Sequence, residues 1–501
     1  MCPKMGLTLP SPSTPSERLS TRVVKGSLWI FGLRIANRGL GFIRKLILAR
    51  LLAPEDFGLA GIALLALSAL ETFSQTGSQA ALIQKRGDVE SYLNTAWTVA
   101  AIRGIAISLI LFSCAPAIAG FFNSSQAALV IRVISIFPLL LGFNNIGIIF
   151  FQKELEFSKQ FIYELSAALV NICVAISLAF ILRNVWALVW GGLVANIISL
   201  FISYIIHPYR PKIRFEIEKF RDLFSFGKWG LGSGILIFLI TQGDDIFVGK
   251  ILGVSALGLY QIAYLISNLP ATEITHVIHQ VVFPAYSKLN NDLSNLKEAY
   301  LKVLQFTAFL SFPVAALIFI LAPDFTIIFL GQKWMGIVPV IRVLVLAGLT
   351  RSIAATAGTI FYAVGKPKID TLLQIVRFFI LAVLIYPFCL KWGLLGISAA
   401  VFASIFVSNL GFSYMAVKIT QCSKKAVAKT LAIPLLSATL TVIFLLGLHT
   451  AMNTGLWQLI LMTALSICFY TSAYYLSEKL TGDPAHSFFG QTLMLLKNAI
   501  N

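Results

Sequence analysis

Apolar runs at or near the length a helix needs to cross a bilayer, roughly 20 residues, recur almost from end to end of this 501-residue chain. Hydrocarbon holds no water to meet a bare backbone N–H or C=O, so each such run must close its own hydrogen bonds as a helix. The runs fall near 24–51, 57–84, 92–119, 127–151, 158–182 and 185–206, then near 223–250, 257–285, 297–322, 338–363, 369–390 and 394–418, with two more near 427–448 and 456–477. They predict an all-α membrane protein of about 14 transmembrane helices. Charged residues make up 12% and the mean hydropathy is +0.85. Soluble domains carry roughly 25% charge, so a soluble fold is excluded.

The formal net charge of +18 invites a nucleic-acid reading, but its placement argues otherwise. With the N-terminus inside, the inner segments hold 24 Lys and Arg, the densest being Arg210, Lys212, Arg214, Lys219 and Arg221 in the connector 207–222. The outer connectors hold five: Arg50, Arg183, Lys250, Lys333 and Lys391. That asymmetry is the positive-inside pattern. It predicts both termini in the cytoplasm and no nucleic-acid partner. Cys2, Cys114, Cys173, Cys389, Cys422 and Cys468 show no paired spacing; they fit neither a disulfide framework nor a zinc site and read as small buried hydrophobes. No metal or cofactor is expected.

Two stretches echo each other 200 residues apart. RLLAPEDFGLAGIA (Arg50–Ala63) and KILGVSALGLYQIA (Lys250–Ala263) share five of fourteen positions: Leu52, Gly58, Leu59, Ile62 and Ala63 against Leu252, Gly258, Leu259, Ile262 and Ala263. Six predicted helices separate the copies, so both cross in the same sense and the repeat is parallel. The expected organisation is a disordered cytoplasmic tail (1–23), an N-lobe of six helices (24–206), the basic connector (207–222), a C-lobe of six helices (223–420), and two extra helices with a tail (421–501). The lobes are expected to form a parallel pseudo-two-fold pair around a central cleft. Gly58 and Gly258, where a missing side chain lets backbones approach, are the candidate hinge. Pro138, Pro270, Pro284 and Pro313 are expected to kink or break their helices.

Ten basic and five acidic residues fall within the predicted spans. An ion at mid-bilayer costs about 2.5 kcal/mol or more, so those near the centre should face protein or a wet cavity. Arg132, Lys228 and Arg342 lie close to helix ends and are expected to snorkel. Arg34, Arg38, Arg103, Arg351 and Arg377 lie deeper. Arg34, Arg38, Gly41 and Lys45 follow a 4-3-4 spacing that sets them on one helix face, flanked by Asn37. Such a stripe either lines a water-filled path for an anion or pairs with Glu71, Glu164 or Glu273 to hold the bundle together. Guanidinium groups match phosphate oxygens bidentately, so the surplus of positive charge points to a phosphate or pyrophosphate headgroup. Asn37, Gln75 and Asn145 are candidates for sugar hydroxyls. Asp244 and Asp245, with Glu273, are candidates for ion coupling, against an interfacial structural role. Glu273, His276 and His279, at i, i+3 and i+6, read as a polar patch between helices or as a titratable relay.

Several motifs carry a resemblance. In the second half they are RPKIRF (Arg210–Phe215), FSFGKWG (Phe224–Gly230), DDIFVGKILGVSALGLYQIAYLISNLP (Asp244–Pro270), VVFPAYSKL (Val281–Leu289) and FLGQKW (Phe329–Trp334). In the first half LLAPEDFGLAGIA (Leu51–Ala63), QKELEF (Gln152–Phe157) and VWALVWGGLVA (Val185–Ala195) join them. Over roughly residues 24 to 420 the chain resembles the polysaccharide-transport flippases of the multidrug/oligosaccharidyl-lipid/polysaccharide superfamily, in particular the colanic-acid and teichuronic-acid exporters, related to O-antigen flippases. The resemblance implies a two-lobed flippase with a cationic cavity that moves undecaprenyl-pyrophosphate-linked oligosaccharide across the bacterial inner membrane by alternating access. Its implied partners are that lipid-linked oligosaccharide, membrane lipids, and polysaccharide polymerase or export proteins. Two rivals stand beside it. A cation-coupled exporter of drugs or metabolites would favour acidic and aromatic cavity groups. A glycan polymerase or glycosyltransferase would need catalytic groups in a substantial extramembrane domain, and no nucleophile–base set or phosphate-cradling glycine loop is present.

Overall fold

A computed structural model describes residues 32, 36–75, 77–85, 89–154, 156–269, 271, 275–290, 292–451 and 455–480; among these there is no β-strand. Arg34 and Glu273 lie outside the described residues, as do Pro270 and the side chains of His276 and His279. The helices are α1 (36–51), α2 (Pro54–Phe73), α3 (Ser78–Gln84), α4 (Glu90–Phe121), α5 (Ser125–Ile134), α6 (Ile136–Gly142), α7 (Ile149–Lys153), α8 (Phe157–Leu182), α9 (Trp186–Ile206), α10 (Ile217–Ile251), α11 (Val254–Ser267), α12 (Thr275–Lys288), α13 (Leu293–Phe325), α14 (Val338–Ala363), α15 (Pro367–Thr420), α16 (Lys424–Ala451) and α17 (Leu456–Leu480). Ten helical segments among the described residues are long and apolar enough to cross a membrane. One of them, α15, is divided at Gly393, where φ is 56°. The chain is a multi-pass membrane protein.

Side-chain placement explains why water is not its solvent. Helix α4 runs 32 residues, about 48 Å at 1.5 Å per residue. Ile102, Ile105, Leu109, Ile110 and Phe112 all face outward from it. A soluble domain rarely tolerates a continuous apolar exterior of that extent; a lipid-facing helix requires it. Cys114 on α4, Cys173 on α8 and Cys468 on α17 are likewise exposed, and among the described residues only Cys389 and Cys422 are buried. The expectation of uniformly buried cysteines is therefore corrected. In lipid an outward thiol is as comfortable as a methyl group, so apolar character did not dictate burial.

The chain divides into two compact units. The first takes in residues up to Leu52 together with Ile62–Phe238. Its α8 and α9 form an antiparallel hairpin. Arg183 turns the chain at φ 49°, Asn184 Oδ1 accepts from the Trp186 amide at 3.1 Å, and Gly191 lies against Ala175. Helices α4 and α6 meet through small residues: a Cβ on Gly142 would stand 3.2 Å from the Gly104 Cα. Such small-residue crossings are how helices associate where lipid offers no hydrophobic drive. The run expected near 127–151 is broken into α5, α6, a 3-10 turn (Ile146–Ile148) and α7. Pro138 sits just inside α6, and its missing N–H accords with the break at Ser135. The run expected near 57–84 is broken as well, between α2 and α3, with Gly77 at φ 66°.

The second unit takes in Ala53–Gly61 and the chain from Leu239 onward. Helix α2 starts where local chemistry dictates. Pro54 opens it, Glu55 and Asp56 lie in its first turn, and Asp56 Oδ2 accepts from the Ala53 amide at 2.9 Å; all three favour a helix N-terminus. Here the two echo motifs are found packed on one another. A Cβ on Gly258 would lie 2.8 Å from the Pro54 carbonyl carbon and 2.9 Å from the Gly58 nitrogen, and one on Gly58 would lie 2.7 Å from the Val254 carbonyl carbon. Phe57 meets the fully buried Trp334 edge to face at 5.4 Å. The limbs of α15 fold back at Gly393 and are stitched by Ser408 Oγ, which donates to the Leu373 carbonyl at 3.0 Å. Helices α16 and α17 stack through Phe444 and Phe469. They attach to α13 by Gln305 to Tyr474 (3.0 Å) and by His449 to Asp324 (2.9 Å).

Candidate functional site

Polar side chains inside these apolar helices gather into clusters, one in the second unit and two in the first. The second-unit cluster begins with α11, whose Tyr260, Tyr264 and Asn268 recur every four residues and so share a face. Tyr260 Oη donates to Asp244 Oδ2 on α10 at 2.7 Å. Arg351 on α14 donates through Nη1 to Tyr264 Oη at 2.8 Å and Asn268 Oδ1 at 2.9 Å. Arg377 on α15 lies within electrostatic reach of Arg351, Tyr264, Asp244 and Tyr260. Asp244 is 4% exposed, and Asp245 faces Gln261. Two guanidiniums and two carboxylates are thus held close together in a setting where each would be costly alone.

A cavity of about 230 Å³ opens from this cluster between α14 and α15. Arg351, Arg377, Gln374, Asn409, Tyr362 and Asp370 line it, among others. Tyr362 Oη donates to Asp370 Oδ2 at 3.2 Å. Asn409 Nδ2 donates to the Thr350 carbonyl at 2.8 Å. The Nε atoms of Arg351 and Arg377, Asn409 Oδ1, Asp244 Oδ1 and Asp245 Oδ1 are buried without a protein partner. Orphaned donors and acceptors at that density call for water or a polar ligand. The cavity wall carries two cations against one carboxylate, a balance suited to an anion. Among the described residues no group of three His, Cys, Asp or Glu is placed to hold a metal.

In the first unit the expected residues serve different ends. Asn37 Nδ2 donates to Glu164 Oε2 at 3.3 Å, and Gln160 Nε2 donates to Glu164 Oε1 at 2.7 Å. One helical repeat further along, Arg44 hydrogen-bonds Asn171. The face of α1 bearing Asn37 and Arg44 therefore packs on α8, while Arg38 is exposed. Arg103 donates to the Glu71 carbonyl (2.7 Å), the Ser74 carbonyl (2.9 Å) and Ser74 Oγ (3.0 Å). It thus closes carbonyls that the end of α2 leaves open, with its charge at the negative end of the helix dipole. Gln75 is exposed at the break between α2 and α3.

Asn145 requires correction. It is fully buried; its Nδ2 donates to the carbonyls of His207 (3.2 Å) and Tyr209 (2.8 Å), and its Oδ1 accepts from the Gly147 amide (2.9 Å). Its amide fastens the connector to the α6–α7 break. The residues that sequence reasoning missed are Tyr260, Tyr264, Asn268, Gln374 and Asn409. The four-residue spacing of the first three, inside the motif Asp244–Pro270, was the available signal.

A helical membrane protein with half-buried arginines inside its apolar helices defines the class, and solved structures place the fold. The chain is similar to the lipid II flippase MurJ in an inward closed conformation, with a TM-score of 0.68 at 16% identity, covering 91% of this chain and 99% of that one. It is similar also to an inward-facing multidrug resistance MATE family transporter of the MOP superfamily, with a TM-score of 0.59 at 19% identity over 78% and 96%. Residues 47–339, more than half of the chain, match the family described as "Polysaccharide biosynthesis protein", and the chain belongs to that family. Among curated relatives, the lipopolysaccharide biosynthesis protein WzxC of Escherichia coli K12 is 25% identical over 70% of this chain and 72% of its own length. The succinoglycan biosynthesis transport protein ExoT of Rhizobium meliloti is 26% identical over 67% of each. The teichuronic acid biosynthesis protein TuaB of Bacillus subtilis is 25% identical over 58% and 60%.

Proposed function

We propose that this protein is a flippase that carries lipid-linked oligosaccharide units, joined to their lipid through pyrophosphate, across the bacterial inner membrane for cell-surface polysaccharide synthesis. It works by alternating access, with both termini in the cytoplasm and no catalytic chemistry. The observation that carries the reading is the cavity in the second unit, which Arg351 and Arg377 line together with neutral hydrogen-bonding groups. Paired guanidiniums suit phosphoryl oxygens, and amides and hydroxyls suit sugar. Membership of the polysaccharide biosynthesis family and the transport and flippase functions named for its relatives support the same reading. Arg34, Arg38, Asn37 and Gln75 are proposed to meet substrate in the first half. Asp244, Asp245 and Glu273 are proposed to couple transport to an ion, and polysaccharide polymerase or export proteins are proposed as partners.

The test is movement of a fluorescent prenyl-pyrophosphate oligosaccharide between leaflets of proteoliposomes, with and without an ion gradient. Wild type should move the probe, and Arg351→Ala and Arg377→Ala should slow it at least tenfold, the loss of one strong charge-assisted contact. Failure to move this probe alongside export of a small organic cation would replace the reading with that of a drug exporter.

A further inference from the structure

The connector between α9 and α10 is not a loose tether. Residues 207–216 form neither helix nor strand and are fastened to the first unit largely through their backbone. Asn145 takes the carbonyls of His207 and Tyr209. Asn94 Oδ1 accepts from Tyr209 Oη (2.7 Å) and from the Lys212 amide (2.8 Å), and Thr98 Oγ1 accepts from the Arg214 amide (3.1 Å). Because the backbone makes these attachments, the side chains of Lys212, Ile213, Arg214 and Phe215 all turn outward. Ile213 is 86% exposed, Phe215 50% and Ile217 59%. Three large apolar side chains in that position are misplaced if water is what they meet.

Depth and charge identify what they meet. Asn94 and Thr98 stand four and eight residues inside α4, whose first residue is Glu90, or about 6 and 12 Å along its axis. A headgroup layer occupies only about 5–8 Å of each bilayer face. The strap therefore lies along the first turns of the membrane-spanning α4, next to the end of the apolar α9 from which it continues. Glu216 takes Arg214 (2.9 Å) and Lys219 (2.8 Å), and Asp222 takes Lys85 on the preceding segment, while Glu218 is exposed. Among the described residues Arg210, Lys212 and Arg221 have no carboxylate within ion-pair distance, and Arg210 reaches the backbone carbonyls of His207 and Tyr209 and lies over the Tyr204 ring.

We propose that this strap is a docking surface for the bilayer, with Ile213, Phe215 and Ile217 entering the acyl edge and Arg210 and Lys212 taking the headgroups of anionic phospholipids. Apolar anchors alternating with cations are the pattern of interfacial segments. Only the assignment to the cytoplasmic leaflet rests on the function and orientation proposed above.

The test uses the full chain with its native cysteines replaced by serine and a nitroxide attached at Ile213→Cys. It is reconstituted in vesicles of pure phosphatidylcholine or of equal parts phosphatidylcholine and phosphatidylglycerol. Collision with oxygen reports lipid and collision with a water-soluble nickel chelate reports water. With phosphatidylglycerol the label should be oxygen-accessible and shielded from nickel. Without it, or with Arg210→Gln/Lys212→Gln, nickel access should rise, because each cation removed weakens partitioning about fivefold. A label at Leu109→Cys, on the outward face of α4, must report lipid throughout and so certifies correct insertion. Nickel access at 213 in both membranes overturns the proposal, as does shielding that ignores both headgroup charge and the double substitution. Neither outcome touches the flippase reading, which leaflet-exchange of the oligosaccharide probe tests separately.

Discussion

Alanine at Gly258 perturbs the crossing of the echo motifs at a point where nothing flexible can yield. The added Cβ would lie 2.8 Å from the Pro54 carbonyl carbon and 2.9 Å from the Gly58 nitrogen. The nearest atom of all is the Pro54 carbonyl oxygen; its carbon alone, at 2.8 Å where carbon atoms pack no closer than about 3.5 Å, makes α11 retreat from α2 by about 0.7 Å, and the oxygen demands more. The obstructing atoms are backbone, so no rotamer relieves the clash. Overpacking a tight contact costs typically 1–3 kcal/mol, and a backbone obstacle puts this case at about 3 kcal/mol. Gly58→Ala, 2.7 Å from the Val254 carbonyl carbon, should cost about as much. The same retreat relieves both, so the double substitution should cost about 4 kcal/mol, well short of the sum. Gly447→Ala on α16, with no atom within 4 Å of the added Cβ, is the control and should be neutral or stabilising by up to about 1 kcal/mol. Unfolding in mixed micelles of increasing denaturing-detergent fraction, followed by tryptophan fluorescence, measures all four proteins. A Gly258→Ala effect below about 0.5 kcal/mol, or strict additivity in the double variant, would refute the reasoning.

Three other expectations follow from described contacts. Asn145→Ala leaves the His207 and Tyr209 carbonyls to Arg210 alone and the Gly147 amide without its side-chain acceptor, and should cost about 1–2 kcal/mol, with faster hydrogen exchange across 207–214 and unchanged preference among oligosaccharide probes. Arg103→Ala opens the Glu71 and Ser74 carbonyls and should lower stability by about 1–3 kcal/mol; its transport per folded molecule should fall far less than that of Arg351→Ala. His207 stacks on Phe150, and its Nδ1 accepts from the Tyr209 amide at 3.2 Å. Burial first, then the Lys159 and Arg210 charges, hold its imidazole below the ordinary value against the opposing pull of Glu154 and Glu156. The folded state therefore favours the neutral ring. Its contribution should be intact above about pH 6.5 and lost as acid protonates the unfolded form first. Protection of the Tyr209 amide, taken relative to the base-catalysed intrinsic exchange rate at each pH, should fall between pH 7.5 and 5.5 and stay flat in His207→Gln.

Much of the fold was legible because lipid imposes one rule, a closed helix for every apolar run, and periodicity needs no partner to be read. The turn at Gly393 and the α8–α9 hairpin fall where apolar runs were seen to end. The breaks at Gly77 and around Asn145 were harder. A short polar interruption looks the same whether the helix continues or stops, and only neighbouring backbones decide which. The site was half legible. Arg351 and Arg377 were marked by the cost of a charge at depth, whereas Asn145 was marked by polarity alone, and polarity does not say whether the chain itself is the partner. Tyr260, Tyr264 and Asn268 escaped because tyrosine passes for an apolar residue until its hydroxyl is placed.

The ladder between α1 and α8 bears on how the chain is made. Arg44 finds its hydrogen-bonding partner Asn171 127 residues later, and Asn37 finds Glu164 at the same interval. A helix carrying Arg38, Arg44 and Lys45 enters lipid alone at a penalty of about 2.5–3.5 kcal/mol for each central charge. At about 5–20 residues per second, those partners leave the ribosome roughly 6–25 s after α1. For that interval the first helix carries polar groups whose partners do not yet exist, and only the arrival of α8 completes it.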